Sequence, residues 1–260
     1  MPESQGIRVV GYAVQGHERV IVYPVGDLHI GGPMSRLDLF QELVEHVKNT
    51  ENEYILLLGD IVNNAIKTSV SNVYNETIPP GEQKKLAVEL LRPVASKILG
   101  MVSGNHEYRT KREVDQDIML DIALALGIED RYDPHHLLVD IAVGRSRYVF
   151  YIFHGHSATR LPGGTVNAYQ YVHMNLFGVD AYIHGHSHHP YVMPFSTSFY
   201  AHNNRKVQQK TFYDISVSPW TTWSGYAIRK QMRPRPVVPI TIELFSRPKK
   251  MGVFIGICPE

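Results

Sequence analysis

The sequence contains one cysteine, Cys258. A single thiol excludes a disulfide within the chain and a metal cluster built on thiolates. The formal net charge at pH 7 is +1, so overall charge indicates neither nucleic acid nor a membrane surface as a partner. No apolar run reaches the roughly 18 residues of a membrane-spanning helix, and the first residues lack the basic and apolar segments of a signal peptide. These absences predict a soluble, cytoplasmic protein with no membrane partner.

Histidine is the residue type that stands out, with 14 copies among 260 residues. Neutral imidazole is the commonest protein ligand for metals, and imidazole also carries protons near neutral pH. The position of these histidines matters more than their number. Five stretches share one form, in which a short apolar run is followed by Gly or His and then by Asp, Asn or His. They are residues 20–29, 56–60, 101–106, 149–156 and 181–188.

These five stretches predict one shared site. Each apolar run is too short for a helix and favours a buried strand. In open α/β sheets, functional groups gather at the carboxyl ends of the strands. Five strand ends that each offer a carboxylate, an amide or an imidazole therefore indicate a single site for more than one metal ion.

The first half of the chain favours alternating strands and helices. Residues 7–14 and 19–25 predict a β-hairpin with Gly16 in its turn. Ser35 and Asp38 resemble a capping box at the start of the first helix. Apolar periodicity predicts helices over about 35–49, 82–98 and 114–126, with Pro93 breaking the second, and buried strands over 54–58 and 99–102.

From residue 137 onward the pattern changes to strands, with one short helical stretch over 167–177. The predicted strands are 137–143, 147–153, 180–184, 191–199, 211–217 and 240–245. A mixed half followed by a strand-rich half indicates an α/β fold in which two sheets pack face to face with helices outside. No repeat, low-complexity tract or linker divides the chain, so we expect a single domain over residues 1–260.

Read in order, the five stretches give Asp-x-His, Gly-Asp, Gly-Asn-His-Glu, His-Gly and Gly-His-Ser-His. This composite pattern resembles the calcineurin-like metallophosphoesterase family over residues 20 to about 190. The resemblance implies a four-layer α/β/β/α sandwich. It also implies a hydrolase that cleaves phosphomonoester or phosphodiester bonds through attack on phosphorus by a hydroxide that two metals activate.

The resemblance carries over to individual residues. It implies one metal held by Asp27, His29 and His186, and a second held by Asn105, His154 and His184, with Asp60 bridging the two. Such a mixed nitrogen and oxygen donor set suits Mn, Fe, Zn, Co or Ni, and we expect two divalent ions, with Mn as the first choice.

The non-ligand histidine of the family corresponds to His106, whose expected role is to stabilise the transition state and protonate the leaving oxygen. Glu107 is expected to orient His106 or to cap the following turn. His156 and Arg109 are candidates for contact with the substrate phosphate, against the alternative of solvent-exposed loop and ion-pair residues. For His188 and His189 the sequence favours solvent-exposed loop positions.

The segment 220–250 is rich in basic residues. Aromatic residues at its start suggest that it could track a nucleic-acid strand, but charge runs more often form a solvated face, which we favour. The expected substrate is a phosphate ester of small or nucleotide type. The alternatives are a DNA or RNA nuclease of the Mre11 type and a binding scaffold without catalysis. The basic residues of the segment are Arg229, Lys230, Arg233, Arg235, Arg247, Lys249 and Lys250.

Overall fold

The computed structural model describes residues 6–69, 73–157, 159, 161–223, 225–229, 231 and 233–256, so that Cys258 lies outside the described residues. No described helix combines the length and the apolar character that a bilayer crossing requires. Helices α1 to α6 are Leu37–Asn49, Pro80–Leu91, Asn105–Val114, Ile118–Leu126, Pro162–Asn175 and Tyr226–Arg229. Strands β1 to β12 are Arg8–Val14, Arg19–Val25, Glu53–Leu57, Ile98–Val102, Tyr132–Asp133, His136–Val143, Ser146–Phe153, Ala181–His184, Tyr191–Ala201, Lys206–Ser216, Ile240–Phe245 and Met251–Ile255.

The described strands form two sheets of mixed direction. Sheet A has the order β1-β6-β7-β8-β10-β9, and sheet B has the order β12-β11-β2-β3-β4-β5. Strands β2, β3, β4 and β5 run parallel in sheet B, and β7, β8 and β10 run parallel in sheet A. The carboxyl ends of the motif-bearing strands therefore meet at one edge of each sheet.

Both faces of the central strands are covered, which explains their unbroken apolar sequences. In β2, Val20 and Val22 belong to the core between the two sheets, while Ile21 and Tyr23 belong to the core under the helices. Phe150 of β7 enters the core between the sheets from the other side. The alternation of side chains along each strand thus fixes which residues face the partner sheet.

Helices cover the outer face of each sheet. Phe40 of α1, Leu91 of α2 and Ile122 of α4 pack against sheet B in one apolar cluster. Tyr169 of α5 packs against the outer face of sheet A, where Tyr182 lies. The layers run helix, sheet, sheet, helix, which confirms the predicted α/β/β/α sandwich.

The hairpin predicted for β1 and β2 is wrong. Strand β1 pairs with β6 in sheet A, whereas β2 lies between β11 and β3 in sheet B. The turn at Gly16 carries the chain from one sheet to the other. Val14 and Val20 enter the same core from opposite sheets, so burial of both strands favours this crossing over local pairing.

The helix predictions hold with local changes. The predicted break at Pro93 is confirmed, because α2 ends at Leu91 and residues 92–97 continue as a 3-10 helix. The predicted capping box is wrong, since Ser35 Oγ donates to Leu28 O at 2.6 Å and caps no helix. The pattern predicted as one helix over 114–126 is divided at Asp115, which has a left-handed φ of 57°.

Replacing Gly100 with valine tests how closely the two sheets pack. A Cβ at Gly100 would lie 2.9 Å from Leu137 Cδ2 and 3.0 Å from Val139 Cγ2, across the core between the sheets. We expect Gly100→Val to lower the free energy of unfolding by about 1–3 kcal/mol, because extra volume in a filled core forces strain. Gly11→Val in β1 is the matched control, since a Cβ there meets nothing within 4 Å. Equal urea midpoints for the two variants would contradict this account of the packing.

Candidate metal centre

The motif loops converge because their strands are neighbours. Asp27 follows β2, Asp60 follows β3 and Asn105 begins α3 directly after β4, all in sheet B. His154 follows β7 and His186 follows β8, both in sheet A. Since the sheets pack face to face, these carboxyl-terminal loops enclose one site at the shared edge of the sandwich.

The backbone of these loops adopts an unusual conformation. Five polar residues of the site have φ angles in the left-handed region, which costs non-glycine residues roughly 1–3 kcal/mol each and is found mostly at functional sites. Surrounding hydrogen bonds hold the turns in place, including Asp27 N to Gly59 O at 3.1 Å and His29 N to Asp60 O at 3.0 Å. The five residues and their φ angles are Asp27 (54°), His29 (49°), Asp60 (51°), His186 (66°) and His188 (56°).

Two glycines let the loops of β3 and β4 touch. A Cβ at Gly59 would overlap the backbone nitrogen of Gly104, and a Cβ at Gly104 would overlap the backbone of Asp60. Gly59 also has a φ of 81°, a conformation that glycine adopts without strain. This close approach brings Asp60 beside the start of α3, where the His106 N–H donates to Asp60 Oδ1 at 2.8 Å.

One group of donor atoms contains Asp27, His29 and His188. His188 Nε2 lies 3.1 Å from Asp27 Oδ1 and 3.4 Å from His29 Nε2, and all three donor atoms lie within 4.8 Å of one another. Asp27 and His29 are buried, so their polar atoms have little access to water. This group has the composition and the spacing of a site that could hold a metal ion.

A second group contains Asp60, His154 and His186, with Asn105 beside it. His154 Nε2 lies 3.4 Å from Asp60 Oδ2 and 3.2 Å from His186 Nδ1. Asn105 Oδ1 contacts both imidazoles, at 3.0 Å from His154 Nε2 and 2.7 Å from His186 Nδ1. The arrangement offers two imidazoles, a carboxylate and an amide oxygen.

Asp60 lies between the two groups. Its Oδ2 is 3.4 Å from His154 Nε2 and 3.9 Å from His29 Nε2, so one carboxylate oxygen faces both sets of imidazoles. A carboxylate in this position can bridge two cations. The same Oδ2 also lies 3.7 Å from His106 Nε2.

The donor set fits divalent metals because acceptor atoms face one another. His154 Nδ1 donates to Leu58 O at 2.7 Å, so Nε2 is the nitrogen that faces the oxygens of Asp60 and Asn105. These oxygens require a positive charge nearby, which a proton on Nε2 or a metal ion in its place supplies. Imidazole nitrogens with carboxylate and amide oxygens are donors that divalent transition metals bind.

The electrostatics of the site also favour positive charge among these atoms. Burial by itself lowers the pKa of His154, but the Asp60 and Asp27 carboxylates and the Leu58 carbonyl together outweigh burial and raise this pKa to about 10. Burial lowers the pKa of His29 to about 3 and that of His186 to about 4, with help from neighbouring histidines, so these imidazoles are neutral at pH 7. Metal binds the neutral form of imidazole, so a metal ion would take the place of the proton that the raised pKa keeps on His154.

His106 lies at the edge of the cluster with its ring orientation fixed. Its Nδ1 donates to Asn63 O at 2.6 Å, which directs Nε2 toward Asp60. The ring contacts His29 edge to face, with 4.4 Å between centroids. Asn64 Nδ2 donates to His106 O at 2.7 Å and holds the backbone. The free side of this imidazole therefore faces the site.

Glu107 has a structural role that the sequence suggested only in part. Its buried carboxylate accepts from the backbone N–H groups of Asp60 (3.0 Å), Val62 (3.0 Å) and Gly104 (2.9 Å). The bond to Gly104 is the helix-capping interaction that was one of its two expected roles, while the other two bonds join α3 to the loop after β3. Burial raises the pKa of Glu107 to about 7, and the nearby Asp60 adds to the shift.

The structure places the His184 side chain outside the cluster, so its assignment as a metal ligand needs correction. His184 is fully buried, with Nε2 at 3.1 Å from both Asp214 Oδ1 and Tyr191 OH. The cause is strand alternation: Ile183 faces the core between the sheets, so His184 faces α5 on the outer side. His188, which the sequence favoured as a solvent-exposed loop residue, lies in the cluster instead.

His186 belongs to a different donor group from the one that the sequence predicted. The sequence grouped it with Asp27 and His29, whereas its Nδ1 lies with His154 and Asn105. Only its backbone N–H reaches Asp27, donating to Oδ2 at 2.9 Å. His188 takes the position beside Asp27 and His29 that the sequence gave to His186. His186 takes the position beside Asn105 and His154 that the sequence gave to His184.

The two candidates for substrate contact lie beside the site. His156 is exposed, and its ring packs edge to face on Tyr169 at 5.4 Å. Arg109 is half-buried, with Nη1 at 3.5 Å from Asn63 O, the carbonyl that also accepts from His106. Neither residue belongs to the donor groups, and their contact with substrate remains a prediction.

Glu107→Gln tests the connection between the two loops. An amide replaces one acceptor oxygen with a donor, so at least one buried N–H group loses its partner. We expect a loss of about 1–3 kcal/mol in the free energy of unfolding, as for other buried unsatisfied donors. Glu113→Gln, on the exposed side of the same helix, should change stability little. Chemical denaturation of the two variants would contradict the assigned role if their midpoints were equal.

Two solved structures resemble this chain at low sequence identity. The NAD nucleotidase NadN of Haemophilus influenzae matches with a TM-score of 0.45 and 10% identity, over 91% of this chain and 49% of that one, so the chain spans about half its length. GAP50, the anchor in the inner membrane complex of Plasmodium, matches with a TM-score of 0.42 and 10% identity, over 94% of this chain and 90% of that one. At such TM-scores neither likeness bears on function. No curated protein matches the sequence significantly.

The sequence match to a family is more extensive. The sequence model for calcineurin-like phosphoesterases matches residues 22–190, which is more than half of the chain. This range contains all the residues that form the donor groups described above. The chain belongs to the calcineurin-like phosphoesterase family.

Proposed function

We propose that this protein is a dinuclear metal-dependent phosphoesterase that hydrolyses phosphomonoester or phosphodiester bonds of a small or nucleotide-type substrate. The observation that carries the proposal is the pair of donor groups that share Asp60. One group would hold a first divalent ion through Asp27, His29 and His188. The other would hold a second ion through the residues Asn105, His154 and His186.

The chemistry follows from this arrangement. When bound, two divalent ions activate water for attack on phosphorus and neutralise charge on the phosphoryl oxygens. Asp60 supplies negative charge between the two positions, and the imidazoles complete each donor set. His106 is placed to hold a proton at Nε2 and to give it to the leaving oxygen, because Asn63 O fixes its Nδ1–H.

Parallel assays of p-nitrophenyl phosphate and bis(p-nitrophenyl) phosphate, with Mn, Fe, Zn, Co or Ni added to the chelated protein, test this function. Metal-dependent release of nitrophenol from at least one substrate is the expected result. The full donor set and His106 argue against a binding scaffold without catalysis. Absence of hydrolysis with every metal would favour that scaffold, and cleavage of DNA or RNA alone would favour a nuclease.

His188→Asn and His184→Asn distinguish the two assignments of the last motif. We expect His188→Asn to lower the affinity for one manganese ion by more than roughly 10- to 100-fold, which is the cost of losing a residue that only hydrogen-bonds to a metal ligand. His184→Asn should retain both ions, but it leaves buried Asp214 poorly paired and should lower stability by about 1–3 kcal/mol. Calorimetric titration with manganese and thermal unfolding measure both effects. If His184→Asn loses a metal ion and His188→Asn does not, His184 is the ligand, as the sequence predicted.

His106→Ala tests the proton donor. We expect kcat to fall by about 10²- to 10⁴-fold, as for loss of a general acid, while manganese content stays unchanged. His202→Ala, at an exposed position between β9 and β10, is the matched control and should leave kcat unchanged. Metal analysis beside the kinetics separates loss of the acid from loss of a ligand. An unchanged kcat in His106→Ala would remove this residue from the mechanism.

A further inference from the structure

The described basic residues of segment 220–250 differ in their surroundings. Arg233 is exposed, Lys249 pairs with Asp180 at 2.9 Å, and Lys250 lies over the Phe245 ring at 5.5 Å. These positions agree with a solvated face, and Lys230 lies outside the described residues. Arg235 is half-buried, forms no ion pair with a described carboxylate, and contacts His189, the residue that follows His188.

The guanidinium of Arg235 is incompletely paired. Its Nε is buried and has no hydrogen-bond partner. Its Nη2 lies 3.3 Å from His189 Nε2. Within the described part of the chain, no carboxylate oxygen lies within 4 Å of this guanidinium. A buried N–H group of a charged side chain without a partner is unfavourable, and an anion would supply that partner.

His189 cannot accept hydrogen bonds from all the N–H groups of Arg235. The same His189 Nε2 also lies 3.3 Å from Thr159 O. A ring nitrogen that donates to this carbonyl cannot accept from Arg235 at the same time. A guanidinium has five N–H donors, so several of them remain available to a ligand.

The backbone around Arg235 is restricted and is connected to the candidate metal centre. Pro234 and Pro236 flank it, and prolines restrict the backbone of the residues next to them. Ser218 Oγ donates to Pro236 O at 2.6 Å, and two residues later the Trp220 N–H donates to Asp27 O at 3.1 Å. The segment is therefore fastened to the loop that supports a proposed metal ligand.

Arg235 and His106 contact different parts of the cluster. Arg235 contacts His189, which directly follows the proposed ligand His188. His106 approaches through Asn63 and Asp60. Burial lowers the pKa of Arg235, and the Asp27 carboxylate opposes this shift, as expected for a cation that lies near the cluster.

We propose that Arg235 binds a non-bridging oxygen of the substrate phosphoryl group and thereby favours phosphomonoesters over phosphodiesters. This inference rests on the phosphoesterase function proposed above. A monoester dianion offers three non-bridging oxygens and two negative charges, whereas a diester offers two such oxygens and one charge. The planar fork of arginine pairs with two phosphate oxygens, so an incompletely paired guanidinium gains more from the dianion.

The test uses the full chain loaded with manganese and the variants Arg235→Met, Arg235→Lys and Arg233→Met. KM and kcat are measured for p-nitrophenyl phosphate and bis(p-nitrophenyl) phosphate, and calorimetry gives the dissociation constant of orthophosphate. We expect Arg235→Met to raise KM for the monoester and the orthophosphate constant by about tenfold or more, as for loss of a charged hydrogen bond. KM for the diester should change less than about threefold.

Arg233→Met is the matched control, because Arg233 also precedes a proline but is exposed, and it should behave as the wild type. Arg235→Lys keeps the charge and should recover part of the orthophosphate affinity. Equal effects on both substrates, unchanged orthophosphate binding, or a wild-type preference for the diester would overturn the inference. If the wild type hydrolyses neither substrate, the phosphoesterase proposal fails, while orthophosphate binding still decides the role of Arg235.

Discussion

The central constraint on this structure is the convergence of hydrogen-bond acceptors and carboxylates at one edge of the sandwich. Asp27 and Asp60 are buried within reach of several imidazoles, and their charges are stable only if positive charge lies among them. Left-handed turns hold these residues in place although each turn is unfavourable for a side chain of this kind. The packing of both sheets supplies the stabilisation that maintains this arrangement.

Residues behind the cluster contribute as much to its geometry as the donors. Glu107 joins the loops after β3 and β4 through three backbone N–H groups. Asp214 holds His184 and Tyr191 on the outer side of β8, next to the loop that carries His186. A preorganised site of this kind limits the motion of its donors, which is the condition for binding cations with defined geometry.

The sequence predicted the layers and most of the cluster because both depend on local patterns. Short apolar runs that end in polar residues identify buried strands and their carboxyl ends, which placed Asp27, Asp60 and His154 correctly together. The structure places His184 outside the cluster because side chains alternate along β8, and the apolar Ile183 in the core between the sheets implies the outward direction of His184. The pairing of β1 with β6 and the position of Arg235 depend on contacts between distant segments, and no local pattern encodes them.

The donors come from both halves of the sandwich: Asp27, His29, Asp60 and Asn105 from sheet B, and His154, His186 and His188 from sheet A. Any cation bound between them would therefore cross-link the two sheets through its ligands. Ligands that bind only the folded state shift the unfolding equilibrium, so chelating agents would act on this protein as mild denaturants. The apolar core would still join the two sheets, so removal of metal would lower the stability of the fold without separating its layers.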